Sequence, residues 1–186
     1  FQAELGSVQT ALSAADCVAR EPALADVGPH LVGGIDTPSE EAGDCHLLCQ
    51  EFERVLRQGG AGLAPVEFRY GQAVRGFARQ RGQISAVHTQ QGSLPCDQLV
   101  IAAGMGSARL ARSLGANAGL EALKGYSLSY ALGPDSVAPQ VSVTDTAHKV
   151  VYARLGQHLR VAGMVDMGND STAIAPNRIA TLKAQV

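Results

Sequence analysis

The stretch from Cys96 to Gly106 carries the strongest chemical signal in the chain. An apolar run, Gln98-Leu99-Val100-Ile101-Ala102-Ala103, ends in Gly104-Met105-Gly106-Ser107. A strand ending in Ala-Ala-Gly lets its backbone come close to a ligand, because glycine has no Cβ and its neighbours carry only methyl groups. In doubly wound sheets, ligands bind beyond the carboxyl ends of such strands. The same residues serve equally well to pack a strand against a helix. The dinucleotide fingerprint GxGxxG is not met, since Gly104 and Gly106 supply its first two glycines and the third position is Arg109. The sequence shows no P-loop, nucleophile elbow or paired-carboxylate motif.

Cys45-His46-x-x-Cys49 is the one local group with metal-ligand character. A zinc site needs a second ligand pair, and the next candidate, His88, has no Cys or His beside it. Cys45 and Cys49 fall on one face of an expected helix, which reads them as small buried hydrophobes and predicts no metal. With Cys17 and Cys96 they fit reduced thiols in a cytosolic compartment. His30, His88 and His158 stand alone and read as surface or packing histidines.

The scaffold that must position these residues is of mixed type. Apolar positions at helical spacing predict a helix over 7–20, stopped by Glu21-Pro22. Residues 31–35 read as a short strand. Asp44 is placed to cap a helix running to Gln58, with Gly59-Gly60 as its stop. The pattern then changes to period two, predicting an antiparallel meander over 65–70, 73–80 and 83–89, a buried parallel strand over 98–103, and a helix over 108–114. The last third reads as strands over 122–132, 140–145, 148–155 and 158–165, with a hairpin turn at Gly156-Gln157. A helix over 176–185 follows, with Pro176 in its first turn.

Composition narrows the function classes. The 186 residues are 46% hydrophobic and 17% charged, enough to bury a core. Fifteen Lys and Arg against 17 Asp and Glu leave a net charge of −2 without a basic run, which argues against nucleic acid as a partner. No run approaches the ~20 apolar residues of a membrane span. The chain opens on Phe1 without a signal-like start, and reads as an interior segment of a larger protein.

Four stretches, in order, carry a family likeness. They are Gly33-Gly34-Ile35-Asp36-Thr37-Pro38-Ser39-Glu40-Glu41-Ala42-Gly43-Asp44-Cys45-His46, Leu99 to Ser107, Leu123-Lys124-Gly125-Tyr126-Ser127-Leu128, and Lys149 to Gly156 with Leu159 to Met164 behind it. Together they resemble the bacterial D-amino acid dehydrogenase small-subunit family, part of the flavin-dependent amine and amino acid oxidases that include glycine oxidase and sarcosine oxidase. The resemblance implies a mixed α+β and α/β architecture, an FAD-binding Rossmann-like domain interleaved with a mixed-sheet substrate domain. Residues 37–115 would form the second half of the FAD domain, and 1–36 and 116–186 the substrate domain.

The resemblance also implies roles for single residues. Val74 matches a position whose backbone holds the adenine edge, and Ala102, Ala103, Gly104 and Met105 lie where the chain passes the cofactor. Gly163 and Met164 are expected near the flavin. Tyr126, Tyr152 and Arg154 are the candidate substrate residues; for Tyr152 the better-aligned family position is Val150, and Arg154 suits a structural ion pair equally. His148 is placed at the pocket rim. The implied reaction is oxidative deamination of a D-amino acid, with hydride passing to FAD and electrons then to a quinone or other carrier.

The implied location is cytoplasmic, extending to peripheral association with the inner face of the bacterial membrane. The family's phosphate-binding glycine loop and flavin-contacting C-terminal loop have no match here, so the segment alone is expected to be colourless and inactive. Its uncovered apolar surfaces are expected to favour self-association. An amine oxidase of the glycine or sarcosine type, or a non-catalytic subunit of an oxidoreductase, are the alternative readings.

Overall fold

A computed structural model describes Glu4 and residues 6–60, 62–169 and 171–186. The chain divides into two units, one of Phe1–Leu48, Lys124–Asp166 and Ser171–Val186, the other of Cys49–Leu123 and Met167–Asp170.

The first unit opens with strand β1 (Thr10–Leu12) and helix α1 (Ala14–Arg20). A helix over the whole of 7–20 is therefore corrected. The cause is Ser13, whose Oγ accepts from the Asp16 N–H while the Asp16 carboxylate accepts from the Ser13 N–H. This reciprocal capping box starts a helix and cannot sit inside one. The residues before it are extended and pair antiparallel with β2 (Gly34–Asp36), Thr10 opposite Asp36.

A four-stranded sheet forms the body of this unit. It contains β6 (Leu123–Ala131), β7 (Val143–Asp145), β8 (Val150–Leu155) and β9 (His158–Met167) in the order β6-β9-β8-β7. The Gly156-Gln157 hairpin turn is as expected, with Leu155 opposite His158 and a left-handed φ of 58° at Gly156. The strand expected over 140–145 is shortened to 143–145 for a clear reason. The backbone N–H groups of Gln140 and Val141 donate instead to Oε2 of Glu21, which is only 3% exposed. Helix α4 (Pro176–Lys183) starts on Pro176, whose missing N–H costs nothing at a first turn. It brings Leu182 onto Val161 (both 0% exposed), Val150, Leu159 and Tyr126 to close the core.

Helix α2 (Cys45–Gln58) begins where the Asp44 carboxylate accepts from the N–H groups of His46 and Leu47, and ends at Gly59 with φ 66°. Its amphipathic pattern is as read, but Cys45, Cys49, Phe52 and Val55 are exposed, which corrects the buried reading of both cysteines.

In the second unit the meander is β3 (Val74–Gln80), β4 (Gln83–Thr89) and β5 (Gly92–Pro95). Residues 65–70 are not its first strand. They run back along α2, with the Val66 N–H on the Leu56 carbonyl, the Tyr70 hydroxyl on Glu53 at 2.6 Å, and Arg57 over the Phe68 ring. Residues 98–103 are not a strand either. Among the described residues no neighbour pairs with them, and Val100 is 87% exposed; an apolar run becomes a strand only when a partner accepts its hydrogen bonds. Helix α3 (Gly106–Ser113) follows.

Candidate functional site

The first unit carries an open groove of about 890 Å³ beside its sheet. Ser127 from β6, Val151 from β8, and Arg160 and Ala162 from β9 form its floor, and His148, Lys149, Gly163 and Met164 border it. Period-two alternation decides which β8 residues take part. Val150 and Tyr152 belong to the core side, whereas Val151 lines the groove.

The backbone is forced into an unusual shape at one edge. Lys149 has φ 58° and Met164 φ 62°, a region costing a non-glycine residue about 1–2 kcal/mol. They lie at the end of the β8–β9 pairing, where Val150 is opposite Gly163. A Cβ at Gly163 would stand 2.7 Å from the Lys149 carbonyl oxygen, so only glycine allows the two strands to meet there. Such strain gathers where a site is shaped rather than where a sheet is merely stabilised.

Two polar groups hang on this frame. In the turn before β8, Asp145 Oδ1 accepts from the N–H groups of Ala147 and His148, and its Oδ2 lies 2.6 Å from His148 Nδ1. The imidazole hydrogen bond, followed by the backbone donors, holds the Asp145 carboxyl below the ordinary carboxylate range. At the other side, Asp166 accepts from the Tyr126 hydroxyl at 2.7 Å and from Arg178 of α4. The Tyr126 hydrogen bond, with Arg178 behind it, lowers Asp166, while the same bond raises the Tyr126 phenol. Lys124 sits over the Tyr126 ring and donates to the carbonyls of Ser171 and Ala173. Three cationic side chains, Lys149, Arg160 and Arg178, line the groove, the last of them paired with Asp166.

Of the residues singled out in the sequence, Tyr126, Gly163 and Met164 come together at this groove, with His148 at its border. Tyr152 turns its hydroxyl to the Gln185 carbonyl at 2.8 Å, and burial raises its phenol. Arg154 donates to the carbonyls of Ala138 and Pro139 and ties down that loop. In the second unit, Gly104 and Met105 line a smaller open groove of about 620 Å³ with Ile101, Ala118, Leu120 and Glu121, while Ala102 and Ala103 are exposed beside it. Val74 opens β3, half-buried, opposite Thr89. The sequence reading missed the partners Asp145, Asp166 and Arg178. The spacing Asp145-Thr146-Ala147-His148 is a turn signal that could have revealed the first; nothing local links Asp166 to Arg178.

The chain belongs to the FAD dependent oxidoreductase family, whose description matches residues 1–186. It is 42% identical to D-amino acid dehydrogenase 2 of Ralstonia nicotianae over 98% of this chain and 43% of that protein. To D-amino acid dehydrogenase 2 of Pseudomonas aeruginosa it is 40% identical over 96% of this chain and 41% of the other. The chain therefore spans about two-fifths of the length of the curated relatives it matches. Glycine oxidase from Bacillus cereus has the same fold, with a TM-score of 0.78 at 14% identity over 99% of this chain and 48% of that one. L-proline dehydrogenase from P. horikoshii superposes with a TM-score of 0.74 at 12% identity, over 98% and 48%. The mixed architecture implied by the resemblance is thus found.

The residues present fit part of an FAD. At Gly104, with φ 54°, a Cβ would meet nothing within 4 Å, so the backbone borders open space flanked by small and apolar side chains and by the carboxylate of Glu121. That lining suits a flat ring and has no cation for a phosphate. Among the described residues no helix is long and apolar enough to cross a membrane.

Proposed function

We propose that this chain is part of a flavin-dependent enzyme that oxidises D-amino acids to 2-keto acids and ammonia. The observation that carries the reading is its 42% identity to a D-amino acid dehydrogenase along nearly the whole chain. The likeness to glycine oxidase, at 14% identity, speaks for the fold alone.

FAD, when bound, supplies a hydride acceptor. Within the second unit, the residues that would hold it are Gly104 and Met105 with Ala102 and Ala103 beside them, and the Val74 backbone. The protein's own part is to bind and orient the amino acid. A free α-amino acid is small and carries a carboxylate, and the groove offers Lys149, Arg160 and Arg178 as counter-charges. Arg178 is already held by Asp166 and Arg160 by the Ser127 hydroxyl, so both heads are fixed in advance of binding. Tyr126 closes one end, its hydroxyl donating to Asp166, a bond that raises the phenol further above neutral pH. Tyr152 and Arg154 support this wall from the other face of β8. Electrons leave to a quinone or other carrier, in keeping with the dehydrogenase names of the relatives and with a cytoplasmic enzyme working at the inner membrane face.

The test is direct. The full-length protein, purified yellow, is expected to bleach when D-alanine is added without oxygen. A yellow protein that keeps its colour with every D-amino acid tried overturns the reading.

A further inference from the structure

We infer that His148 is a catalytic residue, whose Nε2 takes a proton from the α-ammonium group of the bound amino acid before its α-hydrogen departs as hydride. The inference rests on the amino acid reading above. Loss of hydride from the α-carbon needs the nitrogen lone pair to stabilise the developing cation, and at neutral pH that pair is blocked by a proton. A proton acceptor held beside the nitrogen frees that pair.

The groove leaves few choices. Lys149, Arg160 and Arg178 line it as cations and have no pair to offer. The Tyr126 hydroxyl is donated to Asp166. Asp166 in turn is occupied by Tyr126 and Arg178. His148 remains, the one bordering side chain with a ring nitrogen that can take up a proton.

Its ring is also built for the task. The Asp145 carboxylate is fixed from one oxygen by two backbone N–H groups of its own turn, and the other oxygen faces His148 Nδ1 at 2.6 Å. A carboxylate there accepts the Nδ1 proton, which leaves the Nε2 lone pair free as the acceptor. The next residue, Lys149, takes the left-handed turn that leads from this pair into β8. In the step itself, an N–H bond of the ammonium breaks, its electron pair stays on the substrate nitrogen, and the proton bonds to Nε2. Nothing is oxidised or reduced. The half-exposed His148 side chain then returns the proton to water.

In the FAD-loaded enzyme, His148→Gln is expected to lower kcat/KM for D-alanine about 10²- to 10³-fold at neutral pH. The deficit should shrink as pH rises, because the substrate then arrives with its amine already free. Asp145→Asn keeps an oxygen for the turn but presents an NH₂ to Nδ1, driving the ring proton to Nε2. It should show the same pH-dependent loss, together with a switch from the Nδ1–H to the Nε2–H tautomer in ¹⁵N spectra of the imidazole. If His148→Gln does not fold, the Asp145 variant carries the test by itself. A folded variant with no deficit, or with one equal at every pH, overturns the role of His148 while leaving D-amino acid oxidation standing. A wild-type enzyme that no D-amino acid reduces overturns the substrate reading instead, and this inference with it.

Discussion

The two units differ in how they bury apolar surface. Every residue described as buried, from Cys17 and Glu21 to Val161 and Leu182, belongs to the first unit. The second has none among its described residues, and leaves Phe52, Val55, Val100 and Met105 half or more exposed. Its order comes from local hydrogen bonding: the Arg81-Gly82 hairpin, the ladder of β3 to β5, and the 65–70 segment laid along α2. A groove shaped by backbone strain accordingly occurs in the first unit, where a packed core can hold Lys149 and Met164 in costly conformations. In the second unit the one such non-glycine conformation among the described residues, Arg81 with φ 52°, lies in the hairpin turn between β3 and β4 and not at a groove.

The largest effect that would sharpen this contrast is in the core. Leu182→Ala should cost about 2–5 kcal/mol, read as a lowered urea midpoint. Phe52→Ala, at 59% exposed, should stay within about 0.5 kcal/mol of wild type. Equal losses would erase the distinction.

Glycine gives the next comparison. Gly163→Ala drives a Cβ to 2.7 Å from the Lys149 carbonyl and should cost about 1–3 kcal/mol while disturbing the groove. Gly104→Ala meets nothing within 4 Å and should cost only the left-handed backbone term of about 1–2 kcal/mol. Thermal unfolding of the two variants separates collision from conformational strain. Glu21→Ala leaves the N–H groups of Gln140 and Val141 without their acceptor in a buried place, and about 1–3 kcal/mol should be lost.

The smallest expected effect is electrostatic. Asp166 titrates below its ordinary value of 3.8 because Tyr126, then Arg178, favour its ionised form. That contribution to stability is present at neutral pH, above the unfolded-state value, and fades as pH falls through the lowered folded value. Tyr126→Phe should therefore flatten the loss of stability on acidification below pH ~4. An acid-unfolding curve of unchanged steepness would show that the cluster contributes nothing to it. In the second unit, Glu53 is lowered in the same sense by Tyr70 and Arg57, and Tyr70→Phe is expected to change the curve less, since that pair is exposed.

Local signals were legible where the physics is local. Asp44 as a cap, Gly59 as a stop, Pro176 at a helix start and Gly156-Gln157 as a hairpin each follow from one residue's conformational preference. The four strands of the last third were legible as strands, whereas their order β6-β9-β8-β7 was not. The failures share a cause. A helical spacing over 7–20 could not show that Ser13 and Asp16 would cap each other, and an apolar run over 98–103 could not show whether a neighbouring strand would accept its hydrogen bonds. The 65–70 segment alternates like a strand, yet Tyr70 and Phe68 find Glu53 and Arg57 of α2.

The site divides in the same way. Gly163 and Met164 could be named from motif resemblance, and His148 suspected as a border residue, because each lies within a stretch whose residue types are read along the chain. That Asp145 grips the His148 ring, that Asp166 joins Tyr126 to Arg178, and that Tyr152 and Arg154 serve the far side of β8, were settled only by folding. Residue type determines what a group can donate, accept or bend into. Which partner it meets depends on strand register and helix docking, and these bring together atoms that no spacing along the sequence connects.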